Sequence, residues 1–184
     1  LAKEWLRECP YVVCCDGAAN TYIRSGRMPE AIVGDGDSLL PDIKERYASL
    51  IHSEAEQETN DLSKAFRFCL SQERKRITIM GATGKREDHT IGNVSLLADY
   101  MEQAEVSMMT DYGIFVPIRE DSMFESYIGQ QISVFNMNST ALSAEGLAYP
   151  LSVFTNWWQG TLNEALARHF IIRTEGKVLV FRVF

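Results

Sequence analysis

Long hydrophobic runs, an excess of basic charge and paired cysteine motifs are all missing from this chain of 184 residues. No apolar stretch approaches the roughly 20 residues that a membrane-spanning helix needs, and no basic start precedes a hydrophobic segment. The expectation is a cytoplasmic protein with no membrane partner. The chain opens at Leu1 rather than at Met, so a preceding N-terminal piece is also expected. Basic residues are outnumbered: 18 Lys and Arg against 25 Asp and Glu give a formal net charge of −7 and a pI near 5.0. That balance argues against nucleic acid as the main partner, because a phosphate backbone selects for Lys and Arg. A bound nucleotide would need its charge screened by a metal ion. Cys9, Cys14, Cys15 and Cys69 form no C-x-x-C pair, and neighbours on a strand point to opposite faces, so they read as reduced, buried thiols. The three histidines, His52, His89 and His169, show no zinc-ligand spacing.

With 46% hydrophobic and 23% charged residues, the chain can bury a core large enough for one sizeable domain or two small ones. Its first half alternates short β-like runs with helical stretches. Tyr11–Cys15 ends at Asp16-Gly17, Ala31–Val33 ends at Gly34-Asp35, and Leu50–Ser53 is a weaker third run. The apolar set Leu62, Ala65, Phe66, Cys69 and Leu70 then follows helical spacing, with Asp61 in the first turn. Ile77–Met80 reads as a strand, Gly81-Ala82-Thr83-Gly84 as a glycine loop, and Ile91, Val94, Leu97, Ala98 and Met101 as the buried stripe of a helix. Such alternation predicts a mostly parallel α/β domain, whose ligand crevice lies beyond the carboxyl ends of the strands.

From about Gly113 the pattern becomes strand-rich: Ile114–Ile118, Gln130–Phe135, Leu151–Phe154, His169–Arg173 and Val178–Phe184 are strand-like, and Leu162–Ala167 suggests a helical turn. Thr174-Glu175-Gly176-Lys177 places glycine between the last two runs, which predicts a hairpin. The expected boundary falls between residues 112 and 113, with an α/β domain over 1–112 and a small β-rich domain over 113–184.

Gly34-Asp35-Gly36-Asp37-Ser38 is the sharpest local signal, because carboxylates two residues apart in a glycine-flanked loop can converge on one hard cation. Asp16, Asp35 and Asp61 each follow a predicted strand or open the next helix, where a single crevice would collect them. Crowded carboxylates repel one another, and a divalent cation keeps them ionised. The run from Gly81 and Gly84 to Lys85 and Arg86 has the composition of a phosphate loop, though without the full G-x-x-x-x-G-K-[ST] pattern. Asp88 either caps the following helix or orients Arg86, and His89 stands beside it. Further on, Trp157 and Trp158 offer indoles suited to stacking on a flat cationic heterocycle; adjacent on a strand, one would face in and one out.

In order, Asp16-Gly17-Ala18-Ala19-Asn20, Gly34 to Ser38, Gln57-Glu58-Thr59-Asn60-Asp61 with Lys64, Gly81 to His89, and Gly160-Thr161-Leu162-Asn163-Glu164 resemble the thiamine pyrophosphokinase family. Gly146-Leu147-Ala148-Tyr149-Pro150-Leu151 resembles a further stretch of that family's second domain. The resemblance spans nearly the whole chain. It implies a Rossmann-like, three-layer N-terminal domain that holds ATP and Mg²⁺, a C-terminal β-sandwich domain that holds thiamine, and a homodimer with active sites shared between subunits. One more strand before Leu1 is also implied.

The implied reaction moves the β,γ-diphosphate of ATP to the hydroxyl of thiamine and releases AMP. Asp35, Asp37 and Asp61 are the implied catalytic and metal-holding residues. Asp16, Gly17, Asn20, Gly81, Gly84, Arg86, Asp88 and His89 are implied for nucleotide, and Gln57, Trp157, Trp158, Thr161 and Asn163 for thiamine. Gly36 departs from the family by standing where an aromatic is frequent, Glu58 and Asn60 stand where Asp and Thr are common, Lys85 where Gly is common, and Leu162 replaces a usual serine. Two other readings remain open here: a sensor of the same fold that binds thiamine or nucleotide without turnover, and a metal-dependent nucleotide-sugar transferase using the Asp-x-Asp loop.

Overall fold

The structure is a computed structural model and describes residues 2–54, 56 and 58–184. It is a mixed α/β fold that divides into two compact units, Leu1–Lys75 and Arg76–Phe184.

In the first unit the chain runs α1 (Ala2–Glu8), β1 (Val13–Cys15), α2 (Ala18–Arg24), β2 (Ala31–Gly34), α3 (Pro41–Arg46), β3 (Ile51–Ser53) and α4 (Asp61–Ser71). The strands lie in the order β1-β2-β3 and pair in parallel, with Cys14 opposite Ile32 and Ile32 opposite Ile51. β2 is buried along its whole length, as a central strand covered on both faces must be. On one face Cys14 and Ile32 pack with Ala19 of α2 and with Leu39 and Ile43. On the other, Ala31 and Val33 meet Ala65 of α4, with Val13, Cys15 and Phe68 alongside. The period-two alternation of β1 and β2 thus sorts side chains into two helical layers and separates Cys14 from Cys15. Pro41 opens α3, where its missing N–H costs nothing, and Asn60 caps α4 by accepting from Ser63 N at 2.9 Å.

The second unit contains β4 (Arg76–Met80), α5 (Glu87–Ser95), α6 (Leu97–Tyr100), β5 (Glu105–Met109), β6 (Gly113–Ile118), β7 (Ser122–Glu125), β8 (Gln131–Asn136), β9 (Leu142–Glu145), β10 (Asn163–Glu164), β11 (His169–Thr174) and β12 (Val178–Val183). A six-stranded sheet has the order β10-β8-β12-β6-β5-β4, and a three-stranded sheet the order β7-β11-β9. One core joins their inner faces: Ile118, Ile132, Val134, Val178 and Val180 from the larger sheet meet Phe124, Leu142, Phe170 and Ile172 from the smaller. β5 pairs antiparallel with β6, Met109 opposite Ile114, so the strand-rich pattern starting near Gly113 continues a sheet begun at β4. That pairing groups residues from Arg76 onward with the strands that follow, whereas the sequence pattern changes at 112/113.

Four local expectations are corrected. The last two strands form no hairpin: β11 pairs with β7 and β9, while β12 pairs with β6 and β8. Gly176, at φ +126°, carries the chain from one sheet to the other so close to the 138–139 turn that a Cβ would lie 2.8 Å from Ser139 Cα. Leu151–Phe154 is not a strand, because Leu151 and Phe154 turn inward at a spacing of three while Ser152 and Val153 face out. Leu162–Ala167 is not helical, because Asn163 and Ala165 are buried between exposed Leu162, Glu164 and Leu166, the alternation of a strand. Ile91, expected in a buried stripe, is 60% exposed, and burial begins at Leu97.

Candidate functional site

The parallel strands of the first unit end at the acids. Asp16 follows β1 with φ +32°, and its N–H donates to Val33 O at 2.9 Å. The side chain is 3% exposed. Its Oδ2 accepts from Ser38 N at 3.0 Å, whereas Oδ1 is buried with no hydrogen-bond partner among the described residues. Gly34 is required here, since a Cβ would lie 2.8 Å from Asp16 Cβ. Asn20 laces the same two loops together, donating through Nδ2 to Ser38 O at 2.8 Å and accepting from Leu40 N at 3.0 Å. Gly17 fits under this lacing, 2.9 Å from Ser38 Cβ had it a Cβ.

Asp35 is half-buried and accepts from Asp37 N at 3.1 Å, which curls the loop, while the Asp37 side chain is exposed. Asp61 opens α4, half-buried, with Lys64 Nζ at 3.6 Å; Lys64 itself is 2% exposed. Burial pushes the Asp61 carboxyl above the usual range, Lys64 opposes that, and the charges of Asp16 and Asp35 add to it. The charges of Asp16 and Asp35 therefore reach Asp61, and Asp37 contributes its backbone to the loop. Burial, then the charge of Asp61, pushes the nearby Cys15 thiol to about 12, and Cys14 is likewise raised to about 12 by burial, so both are inert at neutral pH.

Among the described residues no three His, Cys, Asp or Glu side chains converge closely enough to chelate a metal ion as they stand. The donor chemistry nevertheless fits a hard divalent cation. The donors are carboxylate oxygens, one buried oxygen of Asp16 has no hydrogen-bond partner among the described residues, and Asp61 holds its proton more tightly because of burial first and its acidic neighbours second.

In the second unit the loop after β4 carries Gly81 at φ +70° and Gly84 at φ +84°, and Asn93 of α5 holds it by donating to Ala82 O at 2.9 Å. Arg86 is the cap residue of α5 and Asp88 lies in its first turn. Arg86 grips Asp88 in a fork, Nε to Oδ1 at 3.1 Å and Nη2 to Oδ2 at 2.6 Å, and His89 N donates to the same carboxylate at 2.9 Å. Asp88 therefore does both things open to it: it aligns Arg86 and it accepts a backbone N–H in the first turn of α5. The Arg86 hydrogen bond holds Asp88 below the usual carboxylate range. Lys85, Arg86, Asp88 and His89 are all exposed.

Trp157 and Trp158 sit on a 3-10 turn, Trp157–Gly160, rather than on a strand. Strand alternation therefore does not separate them: Trp157 is 46% exposed with its edge toward Phe135, and Trp158 is 73% exposed. The turn is closed by a capping box between Asn156 and Gln159, and by Gly160, whose Cβ would fall 1.8 Å from Val134 O. Thr161 Oγ1 donates to Trp158 O at 2.7 Å. Asn163 is buried and occupied by backbone: Nδ2 donates to Tyr149 O at 2.8 Å, and Oδ1 accepts from Tyr149 N at 3.1 Å and Glu164 N at 2.9 Å. Leu162 takes φ +63° and points outward, 77% exposed. Gln57 lies outside the described residues. Sequence reasoning missed Ser38 and Lys44 at the acidic loop; Ser38 acts through its backbone N–H and Lys44 reaches Gly36 O across eight residues, so neither leaves a local pattern.

The fold and these sites define a class: a mixed α/β chain with carboxylates gathered at the ends of parallel strands and a strand-rich second unit carrying exposed indoles. Residues 2–109 match the catalytic domain of thiamin pyrophosphokinase, and residues 113–181 match its substrate-binding domain. The chain belongs to the thiamin pyrophosphokinase family. It is 30% identical to thiamine pyrophosphokinase 1 of Oryza sativa subsp. japonica over 56% of this chain and 49% of that protein. It is 29% identical to thiamin pyrophosphokinase 1 of Caenorhabditis elegans over 60% of this chain and 49% of that one. It thus spans about half the length of these curated relatives. The crystal structure of thiamine pyrophosphokinase from Bacillus subtilis superposes with a TM-score of 0.81 at 21% identity, covering 94% of this chain and 87% of that one. That of Candida albicans gives 0.78 at 20% identity, over 97% and 83%.

Proposed function

We propose that the protein transfers the β,γ-diphosphate of ATP to the hydroxyl of thiamine, giving thiamine diphosphate and AMP. The observation that carries this reading is the buried Oδ1 of Asp16, which has no hydrogen-bond partner among the described residues, near an Asp61 carboxyl whose proton affinity is raised by burial and by the charges of Asp16 and Asp35, inside the stretch that matches the family's catalytic domain. A sensor of the cation thiamine would have little use for such crowding, and a nucleotide-sugar transferase would leave the second-domain match unexplained.

Residues 1–112 would hold ATP on a Rossmann-like, three-layer domain, and 113–184 would hold thiamine on a β-sandwich. Asp35, Asp37 and Asp61 would hold Mg²⁺, which when bound would neutralise phosphate charge. The exposed N–H groups around Gly81 and Gly84 and the guanidinium of Arg86, aligned by Asp88, would steady phosphate oxygens with His89 nearby. Asp16, Gly17 and Asn20 would fix the loop geometry on the nucleotide side. Trp157 and Trp158 would offer indole faces to the thiazolium or pyrimidine ring, with Thr161 and Asn163 shaping the turn and Gln57 orienting the substrate. In-line placement of the thiamine oxygen against the β-phosphorus would supply the remaining rate enhancement. A cytoplasmic homodimer with shared active sites completes the proposal.

The test is incubation of the purified protein with ATP, Mg²⁺ and thiamine, resolving products by chromatography, with chelator and no-thiamine controls. AMP and thiamine diphosphate forming together is the expected result. ADP with thiamine monophosphate would make it a monophosphoryl kinase, and saturable thiamine binding without product would make it a sensor.

A further inference from the structure

The acidic loop is held from its far side by a residue that none of the assigned roles uses. Lys44, an exposed residue in the last turn of α3, reaches inward to donate from Nζ to the O of buried Gly36 at 3.0 Å. Gly36 lies between the two loop carboxylates, is buried, and has φ +77°. A Cβ there would meet Lys44 Nζ at 3.3 Å, Lys44 Cε at 3.5 Å and Leu39 Cδ1 at 3.8 Å. The ammonium group therefore closes over the space that glycine leaves at the turn between Asp35 and Asp37. Lys44 and Asp37 also line one open depression of about 470 Å³, together with Gly36, Leu39, Pro41 and Glu45. The cation thus lies on the Asp37 side of the loop while its hydrogen bond fixes the peptide that separates the two acids.

We propose that Lys44 is a positioning residue: by clamping Gly36 O it sets the spacing of the Asp35 and Asp37 carboxylates and so tunes how tightly the loop takes a divalent cation. The inference rests on the reading of that loop as the metal-holding element. A charge-assisted hydrogen bond to a half-buried carbonyl restrains the peptide more strongly than a neutral one, and a loop that is preorganised loses less freedom on binding.

The test compares Lys44→Met, which keeps an unbranched apolar stem but removes the donor, with Lys44→Arg, which restores a charged donor. Binding of Mn²⁺ to the full chain is followed by electron paramagnetic resonance without nucleotide or thiamine, beside thermal melting and the Mg²⁺ dependence of turnover. The expected result is Mn²⁺ binding weaker by about tenfold in Lys44→Met, recovery to within about threefold in Lys44→Arg, and similar melting temperatures. At saturating Mg²⁺ the turnover of Lys44→Met should approach that of the parent. Unchanged Mn²⁺ affinity in a folded Lys44→Met overturns the proposal, as does an equal loss in both variants. If the parent binds Mn²⁺ but makes no thiamine diphosphate, the proposed reaction fails while the role of Lys44 still stands or falls on the Mn²⁺ data.

Discussion

Asp16 in the first unit and Asn163 in the second are buried alike, 3% and 4% exposed, and both sit where a ligand was expected. Their polar atoms are disposed in opposite ways. Asn163 meets three backbone groups and has its carbonyl oxygen doubly occupied, so it ties the Tyr149 segment to β10. Asp16 uses one oxygen on Ser38 and leaves the other without a donor among the described residues. A buried polar group whose valences are filled by backbone is structural, whereas a buried acceptor without a donor carries a desolvation cost that a bound cation or water would relieve. The contrast extends to the surroundings. The acidic loop is laced by the side chains of Asp16 and Asn20, while the Trp157 turn is closed by the Asn156–Gln159 capping box and the close approach of Gly160 and presents its indoles outward.

The most severe way to test the structural half of this contrast is Gly160→Ala. With Val134 O at 1.8 Å from the new Cβ, the 3-10 turn must leave β8, and we expect a loss of more than about 3 kcal/mol, read by denaturant unfolding. A near-parental midpoint would mean that the turn is not seated on β8 in solution.

Next comes the pair Asp16→Asn and Asn163→Ala. Asp16→Asn keeps an acceptor for Ser38, so its melting temperature should stay near the parent while diphosphoryl transfer falls by about 100-fold. Asn163→Ala should show the reverse, a stability loss of about 2–3 kcal/mol with turnover per folded molecule largely kept. Matching stability losses in the two variants would erase the distinction drawn between them.

The smallest effect is a titration. The folded pKa of Asp61 is raised above its ordinary 3.8, first by burial and then by Asp16 and Asp35 against the opposing Lys64. The folded chain therefore holds this proton more tightly than the unfolded one. The group's contribution to stability is full below the ordinary value and is lost as pH rises through the raised folded value. Carboxyl-carbon NMR should show a midpoint above 3.8 that falls when Mg²⁺ is added. A midpoint at or below the ordinary value would separate Asp61 from its acidic neighbours.

Much of the first unit was legible because two of its brief strands end in punctuation, Asp16-Gly17 after β1 and Gly34-Asp35 at the end of β2, and Asn60-Asp61 marks the start of α4. Local chemistry and the ends of the elements coincide there. The second unit was harder, since β7 (Ser122–Glu125) and β9 (Leu142–Glu145) are short and bury little, and their strand state depends on β11 lying between them. The hairpin expected at Gly176 failed for a related reason, since a glycine between two apolar runs marks a turn but not the sheet each run will join. At the candidate site the acids were readable as residue types in a pattern. The free oxygen of Asp16 and the filled amide of Asn163 were not, because both depend on backbone groups 14 to 22 residues away.

The placement of β12 bears on how the second unit comes to exist at all. It is the last strand in chain order, yet it lies between β6 and β8 and is the element that joins them. Because β12 begins about forty residues after β8 ends, the facing edges of β6 and β8 have no common partner until Val178–Val183 is in place. Until then the unit offers two open strand edges to any neighbouring chain. Cotranslational folding would therefore leave this half dependent on chaperone cover, and damage confined to Val178–Val183 would cleave the larger sheet into two fragments rather than trim its border.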